Sequence, residues 1–374
     1  MARTYRCSRA SMRRLDDKDD YLMRRPRFRA VLGVLALILL PLLGSATSAS
    51  ARTTAEPSGT VLPISWHADM AVDAVHHRLY IADIVTSSVL VTDFDGKLIR
   101  TLKNKPGAAD LVLSADSRTL YVALSGGDAI AALDTATYQE RARYSTGAGT
   151  APSRLALVGK TLWFSYGSGF DSSIGALALS GTKPTVRLGL VPWGTWGGPP
   201  MLLSSPSVPG IVIAGEQYNS SGTVTVYDVT SGKLVVRTTQ DNPGEISFVG
   251  DLALSPDGAT LFIVGGYPYK HLAFRLSDLS VAHAYPTTTY PDAAAVSATG
   301  EIAAGIDNSY GQDIYLFRPG AEKPSRVIDL EPGSARGLRP HGLIWSPDGT
   351  RLFALIGDEG RSPLALHVIA AQGA

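Results

Sequence analysis

The chain has a single cysteine in 374 residues, Cys7, inside its basic N-terminal stretch. Beyond residue 51 there is none, which excludes an internal disulfide, a thiolate metal site and a cysteine nucleophile there. Charge is also scarce, with Asp, Glu, Lys and Arg at 18%. Residues 1–51 hold ten of the 34 Lys and Arg and four of the 33 acids, so the remainder carries 24 basic against 29 acidic residues. That sign gives no electrostatic reason to expect nucleic acid or anionic lipid as a partner. G-x-S-x-G, H-E-x-x-H, the P-loop and G-x-G-x-x-G are all absent. The motif-defined hydrolases, zinc proteases and nucleotide sites therefore have no support. Asp93-Phe94-Asp95-Gly96 opens like a Ca²⁺ loop but lacks the later ligands, and reads better as a hairpin turn. No amphipathic helical period of useful length follows residue 60.

The longest apolar run, Val31 to Leu43, is 13 residues broken only by Gly33 and Pro41. It is short of the roughly 20 apolar residues a spanning helix needs. Met23-Arg24-Arg25-Pro26-Arg27-Phe28-Arg29 precedes it, and Ala49-Ser50-Ala51 supplies a small-x-small cleavage pattern after it. This is the order of a secretory signal peptide. The expectation is a signal peptide over residues 1–51, a linker over 52–59 and one domain over 60–374. An uncleaved anchor is the alternative. Residues 1–22 are polar and unlike an n-region, so Met23 is a second candidate start. Arg24-Arg25 hints at twin-arginine export, though the residues after it fit that pattern poorly. No cysteine follows the apolar run, which excludes a lipoprotein. The expected address is secreted, extracellular or cell envelope, with no membrane span in the mature form.

What the chain does have is glycine, proline and repetition. Gly (38) and Pro (23) exceed the average share, which suits a fold with many turns. Three segments repeat plainly: DLVLSADSRTLYVAL from Asp110, DLALSPDGATLFIVG from Asp251 and GLIWSPDGTRLFALI from Gly342. Each is an apolar run, a polar turn holding an Asp, and a second apolar run beginning Leu-Tyr or Leu-Phe. Proline at the second position of Ser255-Pro256-Asp257-Gly258 and Ser346-Pro347-Asp348-Gly349 suits a type I turn, so each copy predicts a hairpin. Weaker copies begin at Asp69, Arg154, Met201 and Ala293. The mean interval of about 45 residues is that of a four-stranded propeller blade.

Third and fourth strands complete the unit. Ala129 to Asp134 and Thr223 to Asp228 follow Gly-rich loops, and Lys233 to Arg237 illustrates the outer strand. The predicted fold is all-β, a seven-bladed β-propeller of four-stranded antiparallel blades. The last unit ends one strand short. Thr60-Val61-Leu62-Pro63-Ile64 is expected to supply that strand and close the ring, with Pro63 tolerated on an outermost strand. The copy at Met201 is degenerate enough that six blades is the alternative.

Leu120-Tyr121-Val122-Ala123, Leu133-Asp134-Thr135-Ala136-Thr137 and the two Ser-Pro-Asp-Gly turns resemble the YVTN family of WD-like propellers, related to surface-layer and other exported bacterial proteins. The resemblance covers roughly residues 60–370, although the tetrapeptide YVTN itself is absent. It implies a propeller, commonly with a binding or unassigned role, and no shared catalytic set.

In such blades the loop from the second to the third strand and the crossing between blades share one face around the channel mouth. The loops expected there contribute Tyr166, Phe170, Tyr218, Tyr267, Tyr269 and Tyr310, and the crossing from Pro192 to Pro200 adds Trp193 and Trp196. Exposed rings at a concave mouth suit stacking on a sugar, a peptide or another planar group. Plugging of the channel or a seam is the competing use of the Trp pair. Asp69, Asp110, Asp251, Asp292 and His341 fall near the starts of inner strands, with Arg154 and His67 beside them. Converging carboxylates suit Ca²⁺ or a general acid, and equally a purely structural role as hydrogen-bond acceptors. The reading placed first is an exported, non-enzymatic propeller that binds an extracellular protein or glycan without a cofactor. A metal-assisted lactonase-like or lyase-like enzyme and an envelope scaffold are the alternatives.

Overall fold

The computed structural model describes residues 59–371 except 182, 289, 308–310, 333, 335 and 359. The expected signal peptide, and all of the expected linker but Gly59, lie outside the described residues. Among those described, no helix is long and apolar enough to cross a membrane.

The local pattern of a blade follows from what each strand touches. In blade 2 the third strand, Ala129–Asp134, is buried at every position, while the outer strand, Glu140–Ser145, is mostly exposed. A strand covered on both faces reads as a continuous apolar run instead of an alternation. The third strands of blade 1, Ser88–Asp93, and blade 6, Ile314–Phe317, show the same run. The hairpin turns that carried the repeat close in one way. In Ser255-Pro256-Asp257-Gly258 the Ser255 hydroxyl donates to Asp257 Oδ1 at 2.5 Å, and the Ala259 N–H donates to the same oxygen at 3.0 Å. The Ser114 and Ser346 turns repeat this with Asp116 and Asp348. The fourth position is left-handed in all three, at Ser117 (φ 54°), Gly258 (φ 70°) and Gly349 (φ 69°).

Seven four-stranded antiparallel sheets result. Their inner strands are Asp69–Asp73, Ala108–Leu113, Arg154–Val158, Met201–Leu203, Asp251–Leu254, Pro291–Val296 and Gly337–Trp345. These define blades 1 to 7, and the fourth, degenerate unit is a full blade. Each seam between neighbouring blades holds its own apolar cluster. The seventh blade takes its outer strand from Thr60–Val61, paired as Thr60↔Leu366 and Val61↔Ala365. Flanking bonds from Leu62 N–H to Leu364 O and from Leu364 N–H to Ile64 O extend this pairing, both at 2.8 Å. Pro63 is exposed between buried Leu62 and Ile64, so its missing N–H costs the sheet nothing.

The repeat misplaced some inner-strand starts. Blade 7 begins five residues before Gly342, because the strand is interrupted between Leu338 and Leu343 by a bulge. His341 sits in that bulge at φ 54°. Blades 2 and 6 also begin two residues earlier than the repeat suggested, each with a bulge near its start.

Closure by two paired residues makes Leu62 the anchor of the ring. Leu62→Ala should destabilise the protein by about 2–5 kcal/mol, read from urea melts. Val61→Ala, at a position 64% exposed, should change stability by less than about 0.5 kcal/mol.

Candidate functional site

The inner-strand aspartates face the axis, and their first task is to join blades. Asp69 Oδ2 accepts the Leu111 N–H at 2.9 Å, Asp110 Oδ2 accepts the Leu155 N–H, and Asp251 Oδ2 accepts the Ala294 N–H at 2.9 Å. Each bond crosses one seam, from blade 1 to 2, 2 to 3 and 5 to 6. In blade 3 the equivalent place is taken by Arg154, whose guanidinium turns into the channel instead. It donates to Gln217 Oε1 at 3.2 Å, to Ala68 O at 3.4 Å and to His341 Nε2 at 3.3 Å. Arginine can only donate, so His341 Nε2 accepts and its ring hydrogen lies on Nδ1. Nδ1 is 2.9 Å from Asp251 Oδ1, completing an Arg154–His341–Asp251 relay across the channel.

Electrostatics divide the candidate carboxyls into unlike groups. Asp69 and Asp110 hydrogen-bond one another. Burial, then the Asp69 charge, pushes Asp110 well above the usual carboxylate range, and burial raises Asp69 as well. Burial raises Asp292 to about 7 against the opposing charge of Arg339, with Asp307 adding to the rise. Burial lowers His67 to about 3, and the Arg339 charge adds to the effect. Among the described residues no three His, Cys, Asp or Glu side chains form a metal-holding group. Asp69 pairs with Asp110, and Asp251 with His341. Their oxygens already accept backbone N–H groups, and Arg154 stands between the pairs. This arrangement suits Ca²⁺ poorly.

Besides a cavity of about 310 Å³ against Asp69, Asp251, His341 and Trp345, two smaller ones meet at this layer. One of about 280 Å³ opens at the mouth and is lined by His67, Ser153, Arg154, Gln217, Tyr218 and His341 among others. The other, about 120 Å³, lies within the channel against Asp69, Asp110 and Asp251. Arg154 and His341 line both, and so stand between them. His67 is 7% exposed, and its two ring nitrogens are closed off from the cavity against the Pro340 and His341 backbone. Larger grooves of 540 and 720 Å³ open at the hairpin turns between blades 5 and 6 and between blades 4 and 5. Asp257 and His283 in the first of these already have partners.

The aromatic loops form a ledge beside the mouth. Trp193 is 76% exposed, and its Nε1–H donates to Asp171 Oδ1 at 2.7 Å, with Phe170 at a ring distance of 6.4 Å. Tyr218 is 63% exposed and lies over Gly198, where a Cβ would stand 2.0 Å from the ring. Tyr267, Tyr269 and Tyr290 follow as a chain of rings, 5.7 and 5.2 Å apart. Tyr166 is half-buried, and its hydroxyl accepts the Gly189 N–H. Tyr310 lies outside the described residues. Trp196 corrects the expectation of a Trp pair at the mouth. It is 1% exposed and packs in the seam of blades 3 and 4 with Trp163, Val212 and Tyr227. The turn closed by Thr195 N–H on Pro192 O separates the two indoles and sends only Trp193 outward.

Sequence reasoning missed three members. Phe248 and Tyr290 are exposed on this ledge but belong to crossings that show no aromatic cluster in sequence. Buried Glu216 accepts the Gly197, Tyr218 and Asn219 N–H groups and ties the Tyr218 loop to the Trp193 crossing. A lone Glu after a strand gave no signal for that role.

No protein-family model and no curated protein sequence matches the chain. Solved structures do. The β-propeller domain of Cps50 (Swd1) from Myceliophteria thermophila aligns with a TM-score of 0.64 at 15% identity, over 85% of this chain and all of that one. At that identity the likeness places this chain in the WD-like seven-bladed propeller fold and assigns no function.

Trp196→Ala should cost about 3–5 kcal/mol, measured as a shift in the denaturant midpoint. Asp292 gives a pH test. Its folded value lies above the unfolded one, so its contribution to stability is full below about pH 4 and is lost as pH rises through about 7. The stability of Asp292→Asn relative to the unmodified protein should therefore improve steadily between those limits and level off above them, by a few kcal/mol at most. A flat difference would show that Asp292 is not held protonated.

Proposed function

We propose that this chain is an exported, non-enzymatic β-propeller of the YVTN or surface-layer-like kind that binds an extracellular or cell-envelope ligand, protein or glycan, on its aromatic mouth face. The observation that carries this reading is the exposed ledge running from Trp193 through Tyr218 to Tyr269. Rings left in solvent have a cost that a ligand removes. These rings are also held in place, Trp193 by Asp171 and Tyr218 by its seat on Gly198. A pre-positioned ring loses little freedom on binding. The leader from Met23 to Ala51 supports export, and the turn motifs support the family resemblance.

An enzymatic role draws on the raised Asp110 and Asp292. It ranks second because the Asp69, Asp110 and Asp251 carboxyls are engaged in joining blades.

The test uses immobilised protein against secreted and envelope material. Trp193→Ala with Tyr269→Ala should release bound material with a loss of about 2 kcal/mol or more, while the melting temperature holds. Equal retention by the double variant would remove the ledge as the site.

A further inference from the structure

We propose that the corner of the ledge built by Phe170, Asp171 and Trp193 binds an arginine side chain, carried on an extended basic segment of a partner protein. The inference rests on the ledge reading above and narrows it to one class of partner.

Two loops are held in one arrangement there. The Trp193 Nε1–H donates to Asp171 Oδ1 at 2.7 Å, and the Gly194 N–H donates to Phe170 O at 3.3 Å. The two rings lie 6.4 Å apart at 47° to one another, and both are exposed. The one polar group of the indole is already engaged with Asp171. What Trp193 offers a ligand is therefore its face, the negative side of the ring quadrupole. Asp171 is exposed and keeps its second oxygen beside that face. Among the described residues Oδ2 accepts no hydrogen bond, and no Lys, Arg or His pairs with the carboxylate.

Two ring faces and a carboxylate without an ion-pair partner select a cation. The surroundings have the same sign. The loops that carry the ledge, residues 166–172, 190–200, 216–222, 241–250 and 265–270, expose Asp171, Asp241 and Glu245 against Lys270. The one other charged residue in those loops, Glu216, is buried. Beyond residue 51 the whole chain has 24 basic against 29 acidic residues. An anionic partner is therefore repelled, and a neutral glycan uses the rings but leaves the charge unpaired. A guanidinium uses both, because it stacks flat on an indole while its edge donates to a carboxylate. A lysine ammonium has no flat face and uses the corner less fully. The corner is open rather than enclosed, so it covers too little of a small free cation to hold it well. A side chain delivered by a chain lying across the ledge gains the rest of its contact from Tyr218, Tyr267 and Tyr269.

The experiment follows the Trp193 indole N–H by NMR in the full chain, identified by its loss in Trp193→Leu. The probes are short peptides that alternate glycine with arginine, with lysine or with glutamate, and chitotetraose as the neutral glycan. The arginine peptide should shift that resonance saturably, with a Kd on the order of 0.1 mM. It should bind roughly threefold more weakly or worse at about 0.5 M NaCl. The lysine peptide should bind less tightly, and the glutamate peptide should not bind. Asp171→Asn keeps an oxygen for the indole N–H and removes the charge. It should weaken the arginine peptide roughly fivefold or more, while the melting temperature holds. Should Trp193→Leu fail to fold, Trp193→Phe identifies the resonance and Asp171→Asn decides. The proposal falls if the arginine peptide leaves Trp193 unmoved, if the glutamate peptide binds as tightly, or if Asp171→Asn binds the arginine peptide unchanged. Chitotetraose or envelope material held through Trp193 and Tyr269, but indifferent to Asp171→Asn, would keep the ledge reading and remove the arginine site. Envelope retention unaffected by Trp193→Ala with Tyr269→Ala, together with no binding of the arginine peptide, would remove both.

Discussion

Every blade of this protein is apolar on both faces, so none can be stable by itself; the seam between neighbours is the interaction on which the rest depends. The middle strands are buried at nearly every position because a second sheet covers each side. Seven seams each carry an apolar cluster, and the last is made only when Leu62 and Ile64 return to pack beside Phe353, Leu355 and Leu366. Hydrophobic packing alone is non-directional. The aspartates at the inner edge add direction, because Asp69, Asp110 and Asp251 each fix one N–H of the following blade at a defined place.

That division of labour explains where the site lies. Where the repeat is kept, the axis is filled by carboxyls engaged with backbone. Where it is broken, the axis opens. Blade 3 replaces the aspartate with Arg154, blade 4 with Met201, and blade 7 bulges so that His341 reaches Asp251. The mouth cavity sits at these departures, beside His67 in the crossing that enters blade 1. Function in a repeat fold is expected at such departures, since residues that serve every seam are not free to serve a ligand.

The fold was legible because its signals are local. Ser-x-Asp-x turns close on their own side chains within five residues, so Ser114, Ser255 and Ser346 announce hairpins without reference to the rest of the chain. The closing strand was legible too, since an unpaired edge in blade 7 and an exposed Pro63 leave one arrangement. The site was less so. Nothing near His341 signals that four residues bulge out of an inner strand, and the seam bonds of the aspartates join residues more than 40 positions apart. Trp193 and Trp196 have nearly the same neighbours in sequence. Only a four-residue turn, visible in the backbone bond from Thr195 to Pro192, decides which faces solvent.

The ledge and the seams are one construction. The crossing that exposes Trp193 also drives Trp196 into the seam of blades 3 and 4, so the exposed ring is carried by a loop anchored in core. Neighbouring loops are tied in turn. Glu216 holds the Trp193 crossing to the Tyr218 loop, Val249 N–H donates to Glu216 O, and Ser247 N–H donates to Tyr267 O. These bonds span blades 3, 4 and 5. Long connecting loops are ordinarily the mobile part of a fold. Here each is bonded to the next and pinned at a seam, so the rings present a surface whose shape is set before any ligand arrives. If the ledge binds a ligand as proposed, the ordering that binding would otherwise require is already done by folding, which couples seam stability to recognition through the same few residues.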